Sequence, residues 1–299
     1  MDDILKIDRE TDTDDLNKKN NSPTSDFDTI VLSGGSSKGI MILGALQYAY
    51  DNFLLNKINK YIGTSVGSII CFLLLIGYTP IEIMVYLCTH EILEKLQHFN
   101  IVAMINGNGA LSYSGIYEQL EKMTIDKIGY LPTFKDVKQK YEKELICVTY
   151  NLTDNKTEYL SYENNPNLPC LIGIKMSSNL PLIFEKFKYN NNFYIDGGIS
   201  DDFAIDIGDK LGNKILGIVI TIDNNSFSSE GETILEYIYK LIFIPIAQSM
   251  DSKINNASNN CKIIKLSYNK LKFFNFNVNS KEKLDIFSIG YESMKEQIE

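Results

Sequence analysis

The sequence predicts a three-layer α/β fold, in which helices cover both faces of a central sheet. Segments typical of strands and of helices alternate through most of the chain. The segment 214–222 is strongly apolar, as in a strand that is buried on both faces. Two further strand-like segments run directly into glycine-containing turns and then into apolar helical patterns. At 299 residues, the chain is long enough to bury one large core.

Composition and net charge exclude several classes of partner and site. A net charge of −9 argues against a nucleic-acid partner, because phosphate contacts require clustered Lys and Arg. The five cysteines are scattered without a Cys-x-x-Cys pair, which excludes a zinc site and fits a reducing, cytoplasmic compartment. No apolar run has the length needed to span a bilayer. Residues 1–26 are acidic and polar and are predicted to form a disordered arm, and residues 27–299 a single domain.

The first strand, 29–32, leads into a glycine loop and a helix with apolar periodicity over 40–50. The loop consists of Gly34, Gly35, Ser36, Ser37, Lys38 and Gly39. Backbone N–H groups at such a helix N-terminus form an anion site. Gly34 and Gly39 have the spacing of a phosphate-binding P-loop, but Ile40 and Met41 stand where Lys and Ser/Thr are needed. The alternative to a phosphate at this anion site is the oxyanion that forms in an acyl-transfer reaction.

The second motif is Gly63-Thr64-Ser65-Val66-Gly67, which lies between a short strand and the apolar segment 69–76. Gly-x-Ser-x-Gly in this setting predicts a nucleophile elbow. The turn is so tight that side chains at Gly63 and Gly67 would collide with the backbone. The serine hydroxyl would then stand at a helix N-terminus, whose partial positive charge favours a developing oxyanion.

The remaining elements follow in order. Thr79, Pro80 and Glu82 predict the capped start of a helix that extends to about Gln97. Further predicted helices cover 114–123 (capped by Ser114), the region around 171–176, 232–250 and 281–298. Further predicted strands cover 144–150, which turns at 151–155 into 158–161, a segment that ends at Asp196, and 261–266. No internal repeat or linker indicates a second domain.

The base that would activate Ser65 is not a histidine in the usual position. A serine hydroxyl is a weak nucleophile until a base accepts its proton. Both histidines, His90 and His98, fall on one predicted amphipathic helix, where a surface or half-buried position is the simpler interpretation. A Ser-His-Asp triad in the common order therefore cannot form. Asp196, at a predicted strand end before Gly197 and Gly198, is the candidate base.

Three further carboxylates follow Asp196 closely. Asp201, Asp202 and Asp206 match no calcium-loop spacing, so that a solvated loop is expected and no metal site is predicted.

These motifs together resemble the patatin-like phospholipases, which are related to the catalytic domains of cytosolic phospholipase A2. The loop 34–39 resembles the oxyanion loop of that family, Gly63–Gly67 its nucleophile elbow, 177–181 its Ser-rich segment that ends in Pro, and 196–198 its Asp-Gly-Gly motif. The resemblance covers about 29–222 and occurs in family order.

The resemblance implies a three-layer α/β/α patatin-like fold with a mostly parallel central sheet. It implies a lipid acyl hydrolase of the phospholipase A type, which cleaves esters through a Ser65–Asp196 dyad and an acyl-enzyme. Backbone N–H groups at Gly34, Gly35, Ser36 and Ser37 would stabilise the oxyanion. No metal or organic cofactor is implied. The expected partners are a phospholipid or other lipid ester and, peripherally, a membrane.

Two positions depart from the family pattern. Ser36 replaces the third glycine of the loop, and Asp202-Phe203-Ala204 stands where the family often has Asn-x-Pro. The first departure leaves open a catalytically weak or inactive patatin-fold protein that binds lipid or a protein partner. A nucleotide- or phosphate-binding protein that uses the 34–39 loop is a third interpretation. Nothing in the sequence indicates the oligomeric state.

Overall fold

The computed structural model describes residues 27–90, 92, 109–221, 234–267 and 278–298. The predicted arm at residues 1–26 lies outside these residues, and so does His98. The five cysteines all lie within them, and all five are free thiols.

One sheet of eight strands forms the centre of the described part of the chain. The strands are β1 (Thr29–Leu32), β2 (Lys60–Thr64), β3 (Glu144–Asn151), β4 (Lys156–Leu160), β5 (Phe187–Tyr189), β6 (Asn192–Asp196), β7 (Ile215–Ile220) and β8 (Cys261–Leu266). Their order is β5-β6-β3-β2-β1-β7-β8, with β4 paired to β3. Strands β3, β2, β1, β7 and β8 are parallel, whereas β4, β5 and β6 pair antiparallel.

Helices connect most of these strands. They are α1 (Gly39–Asp51), α2 (Val66–Leu75), α3 (Pro80–Thr89), α4 (Ser114–Ile128), α5 (Phe134–Tyr141), α6 (Cys170–Ser178), α7 (Ile205–Leu211), α8 (Ile234–Asn256) and α9 (Ser280–Ile298). A short 3₁₀ turn, Ser36–Lys38, precedes α1.

The helices form a layer on each face of the sheet. Successive residues of a strand point to opposite faces. Ile30 and Leu32 of β1 therefore pack into one cluster with α1, α2 and α9, whereas Val31 packs on the other side with Ile205 of α7 and Met250 of α8. The predicted three-layer α/β/α fold with a mostly parallel sheet is confirmed.

Several local predictions are confirmed and others need correction. Thr79 and Glu82 form a reciprocal capping box at the start of α3. Helix α3 ends at Thr89, short of the predicted boundary, and residues 93–100 are outside the description. Ser114 is the first residue of α4 and makes no cap, and α4 runs five residues beyond Met123 to Ile128. Helices α5 and α7 and strand β5 were not predicted; they are short, with eight, seven and three residues respectively.

One feature of the sheet brings distant segments together. Residues 144–148 of β3 pair with β2, and residues 149–151 of the same strand pair with β6. Strand β4 pairs with the opposite edge of β3. Strand β6 therefore pairs with the same edge as β2, just beyond the last residue of β3 that pairs with β2. Since β6 is antiparallel, its last residue, Asp196, pairs with Thr149, next to the Val148 partner of Thr64. The ends of β2 and β6 therefore meet.

Within the described residues, no helix taken singly is long and apolar enough to cross a membrane. Among the residues that the structure describes, one pair of helices, α2 and α3, reaches that length and composition when joined, and the two are bent by 119° relative to each other.

Candidate active site

Ser65 lies in a tight turn between β2 and α2. Its backbone has φ 55° and ψ −125°, a conformation that non-glycine residues adopt only under strain. A Cβ on Gly63 would lie 2.5 Å from the carbonyl of Gly67, and one on Gly67 would lie 2.5 Å from the carbonyl oxygens of Leu32 and Ser33. The two glycines therefore allow β1, β2 and α2 to approach closely around the serine. This is the strand-turn-helix geometry that a nucleophile elbow requires.

Asp196 contacts Ser65 directly. The Ser65 hydroxyl donates a hydrogen bond of 2.6 Å to Oδ2 of Asp196. The backbone N–H of Gly198 donates to the other oxygen, Oδ1, at 2.7 Å, and so fixes the orientation of the carboxylate. Both side chains are buried, with 7% of Ser65 and 1% of Asp196 exposed. The structure thus joins a hydroxyl and a carboxylate that are 131 positions apart in the sequence.

Burial sets the proton affinity of this carboxylate. It raises the pKa of Asp196 from 3.8 to about 7, because the charged form loses its hydration, although the hydrogen bonds from Ser65 and Gly198 act in the opposite direction. A base with a pKa near the operating pH is effective in proton transfer. Asp196 has the position and the proton affinity that a general base for Ser65 would need.

The segment Ser177–Asn179 supports both residues. The backbone N–H of Ser65 donates to the Ser177 hydroxyl at 3.0 Å, and the backbone N–H of Asp196 donates to the Asn179 carbonyl at 3.0 Å. Ser178, between them, shares a 2.6 Å hydrogen bond with the buried hydroxyl of Tyr113. In the sequence, only the resemblance to the Ser-rich family segment that ends in Pro marks these residues. Its contacts with the dyad could not be inferred, because they join α6 to β2 and β6.

The glycine loop lies beside the serine. The N–H of Gly34 donates to the backbone carbonyl of Asp202 at 3.2 Å, whereas those of Gly35, Ser36 and Ser37 have no acceptor among the described residues. Ser36 stands where the family has a third glycine, and its φ of 52° lies in the region that favours glycine. The backbone at Ser36 thus adopts a conformation that a glycine would adopt more readily. This left-handed conformation costs about 1–2 kcal/mol in a non-glycine residue. Three free donors therefore follow Gly34.

The second half of the loop is packed into the protein. Lys38 is buried, and burial lowers the pKa of its ammonium group. Gly39 starts α1 close to Val66, with which a Cβ would be in contact at 2.6 Å. Ile40 and Met41, which stand where a P-loop has Lys and Ser/Thr, are buried in the core. The structure therefore offers no replacement for the P-loop lysine at these two positions.

The other titratable groups that the structure describes near these motifs lie in different surroundings. His90 stacks on Tyr86 at 3.9 Å between ring centroids, at the end of α3. No group of three or more potential metal ligands occurs in the described part of the chain. The expected solvated loop is wrong for Asp201, which is buried and forms a 2.7 Å ion pair with Lys253. Asp202 also points inward, against Gly34 and Gly198.

An apolar cavity of about 120 Å³ begins at the glycine loop. Ser36, Ser37 and Val66 line the part near the candidate nucleophile. The walls are mostly aliphatic side chains of α1, α2, α3 and α4, among them Leu43, Ile70, Ile83, Ile116 and Leu120. Such a cavity approaches the ~150 Å³ that holds a benzene-sized apolar ligand. It suits a hydrocarbon group.

Comparisons with known proteins found a matching family model and two similar viral proteins. A family model described as patatin-like phospholipase matches residues 30–209, a range that includes both Ser65 and Asp196. The probable lipid hydrolase 463L of Invertebrate iridescent virus 6 is 41% identical over 194 residues, which make up 63% of this chain and 65% of that protein. The uncharacterized protein R571 of Acanthamoeba polyphaga mimivirus is 28% identical over 284 residues, 92% of this chain and 94% of that protein.

Solved structures share the fold at low sequence identity. VipD from Legionella pneumophila superimposes with a TM-score of 0.55 at 14% identity, over 91% of this chain and 66% of that one. A chain of the heterodimeric ExoU–SpcU complex from the type III secretion system of Pseudomonas aeruginosa gives a TM-score of 0.51 at 12% identity, over 92% of this chain and 51% of that one. The chain thus spans about two thirds of the lipid hydrolase and of VipD, and about half of the third protein.

Proposed function

The chain belongs to the patatin-like phospholipase family, and on this premise we propose that it is a lipid acyl hydrolase that cleaves ester bonds of phospholipids. The observation that carries the proposal is the 2.6 Å hydrogen bond from the Ser65 hydroxyl to Asp196 in a strained elbow. An unpaired serine, or one far from any base, would instead have favoured a protein that only binds lipid.

The reaction would proceed in two stages. Asp196 accepts the hydroxyl proton as Ser65 Oγ attacks the ester carbonyl, and it then returns that proton to the departing alcohol oxygen. This leaves an acyl group on Ser65 and releases a lysophospholipid. Asp196 next takes a proton from water, which attacks the acyl-enzyme. The fatty acid leaves, and Ser65 recovers its proton.

Backbone donors would stabilise the oxyanion in both stages. The N–H groups of Gly35, Ser36 and Ser37 have no acceptor among the described residues, and the N–H of Gly34 is already used by Asp202. We therefore assign the oxyanion site to the three later residues of the loop, together with the positive end of α2. Losing one such donor typically lowers the rate by about 10²–10³.

Product analysis tests the proposal. The full chain is incubated with phosphatidylcholine vesicles, and fatty acid and lysophospholipid are quantified by mass spectrometry. We expect equal amounts of both products, with neither formed by Ser65→Ala. Binding to the vesicles without either product would contradict hydrolysis and favour the alternative of a protein that only binds lipid.

The apolar cavity predicts a dependence on acyl-chain length. Ile116 lines the cavity from α4 and is only half-buried, so that Ile116→Phe can extend into the cavity without displacing a core side chain. We expect this variant to lower kcat/KM for esters of eight-carbon or longer acids about 10-fold relative to acetyl esters. Ile125→Phe, on the same helix but 42% exposed and outside the cavity, is the matched control. Equal losses with long and short chains would contradict this use of the cavity.

Helix α8 suits contact with a membrane. Its buried side chains Phe243 and Ile246 line a small space together with Gly34 and Asp202 of the site. On the outside, the large apolar side chains of Tyr237, Ile238, Leu241 and Ile244 are between 36% and 50% exposed. Because the net charge is −9, we propose that apolar insertion rather than attraction to anionic headgroups holds the protein at the lipid surface.

Polar substitutions on α8 test this contact. We expect Leu241→Ser with Ile244→Ser to weaken binding to zwitterionic vesicles about 10-fold or more, because each side chain contributes on the order of 1 kcal/mol on insertion. Hydrolysis of a water-soluble ester should stay unchanged. Phe53→Ser is the control, since Phe53 is 58% exposed and follows the end of α1 that points away from the elbow. Unaltered vesicle binding by the double variant would contradict the proposed contact.

A further inference from the structure

A second carboxyl group lies next to the dyad. A Cβ on Gly34 would collide with Oδ1 of Asp202 and lie 3.3 Å from Cβ of Ser65. A Cβ on Gly198 would lie 2.7 Å from the same oxygen of Asp202 and 3.0 Å from Oδ1 of Asp196. The Asp202 carboxyl therefore fills the space between the first glycine of the oxyanion loop and the second glycine of the Asp-Gly-Gly motif.

Apart from the backbone N–H of Gly34, which favours the charged form, the surroundings of Asp202 disfavour a negative charge. Ile220 and four residues of α8 line the adjoining space, namely Phe243, Ile246, Ala247 and Met250. No cation of the described residues forms an ion pair with Asp202. The nearby charges are two further carboxylates, Asp196 and Asp201.

One cation near these carboxylates, Lys253, forms ion pairs with Asp201 and with Asp206. Lys253 of α8 lies 2.7 Å from Oδ2 of Asp201 and 2.7 Å from Oδ1 of Asp206. The Tyr159 hydroxyl also donates to Oδ2 of Asp201, at 2.8 Å. Lys253 is thus shared by Asp201 and Asp206, and the described residues pair no cation with the carboxyl of Asp202.

We propose that Asp202 is a positioning residue that must stay a neutral carboxylic acid, so that of the two carboxyl groups Asp196 and Asp202 only Asp196 is charged beside Ser65, and that loss of the Asp202 proton inhibits hydrolysis. In agreement, burial and the charges of Asp196 and Asp201 raise the pKa of Asp202 from 3.8 to about 8. An ionised Asp202 would repel the oxyanion that forms during the attack by Ser65. The inhibition rests on the proposed function, whereas the neutral state of Asp202 does not.

The pH dependence of hydrolysis tests the inhibition. Release of butyrate from a soluble ester is measured between pH 5 and 10 for the wild type and for Asp202→Asn, which keeps the size of the side chain. We expect the wild type to lose activity about 10-fold or more above pH 8, and Asp202→Asn to retain its rate there. Asp206→Asn, at a half-buried carboxylate of the same network, should show the wild-type decline. An identical alkaline decline in Asp202→Asn, or none in the wild type, would overturn the proposal.

Thermal stability tests the neutral state without any activity. A carboxyl with a pKa of about 8 in the folded protein and about 4 in the unfolded chain binds more protons when folded. The contribution of Asp202 to the free energy of unfolding is therefore most favourable below pH 4. It declines as the pH rises from 4 to 8 and is constant above pH 8. Asp202→Asn removes this decline. Its Tm relative to wild type should rise by on the order of 5 °C from pH 5 to pH 8.

The two measurements distinguish failure of the proposed function from failure of the inference about Asp202. If the wild type hydrolyses no ester but the Tm difference grows with pH, the proposed function fails and the neutral Asp202 stands. If the Tm difference is independent of pH, Asp202 is ionised in the folded protein and the inference fails, whatever the activity. Asp202→Ser, a second neutral variant, serves for both measurements if Asp202→Asn does not fold.

Discussion

Replacing Ser65 with alanine is expected to lower ester hydrolysis by about 10⁴-fold or more. The variant lacks the atom that attacks the carbonyl, and no other hydroxyl in the described residues donates to Asp196. A fluorophosphonate probe, which reacts with activated serines, should label the wild type and leave Ser65→Ala unlabelled. The Tm should change little, because the backbone strain at φ 55° is the same for alanine.

A nearby serine provides the control for this experiment. Ser200 is half-buried in the loop that follows Asp196, and its hydroxyl makes only a 3.3 Å hydrogen bond to the Gly197 carbonyl. Ser200→Ala should therefore react with the probe like the wild type. Labelling that survives in Ser65→Ala, or disappears in Ser200→Ala, would contradict Ser65 as the nucleophile.

Asp196→Asn is expected to lower kcat/KM by about 10³–10⁴, with the fold retained. The amide keeps the shape of the side chain and can still accept a hydrogen bond from the Gly198 N–H, but it cannot take the proton of Ser65. In the wild type the base must be ionised. Because its pKa is raised to about 7, activity should fall as the pH decreases through 7, about tenfold per unit well below that value. A pH series on a soluble ester measures both effects.

An exposed carboxylate shows whether the effect is specific. Asp154, in the turn between β3 and β4, has a side chain that is 45% exposed and pairs with Lys156. Asp154→Asn should keep the wild-type rate and the same acid decline. Full probe labelling of Asp196→Asn at the wild-type rate would show that Ser65 is activated by another group.

Much of the fold was predictable because its signals are local. The capping box of Thr79 and Glu82, the turn after Asn151 and the apolar strand β7 each depend on residues close together in sequence. The unpredicted elements are short, and tertiary contacts stabilise them. Strand β5, for example, has three residues and is a strand because β6 pairs with it. Helix α5 did carry a local signal, since Thr133 and Asp136 form a capping box.

The environment of the acidic residues after Asp196 was not predictable from their spacing. A run of Asp in a glycine-containing loop is usually solvated. Here α8 supplies Lys253 from 52 positions away and buries Asp201. The same helix covers Asp202 with apolar side chains. Which carboxylate is paired and which is left without a cation depends on how α8 packs.

The sequence by itself determined the tight turn around Ser65, since Gly63 and Gly67 are needed wherever a strand turns this sharply into a helix. It also excluded a histidine base in the usual order and indicated Asp196 as a candidate. Only the tertiary structure decided that the two side chains meet. They do so because β2 and β6 pair with the same edge of β3, one after the other and in opposite directions. The last residues of β2 and β6 therefore lie next to each other. Strand pairing over such separations depends on the packing of the whole sheet, and no local pattern encodes it.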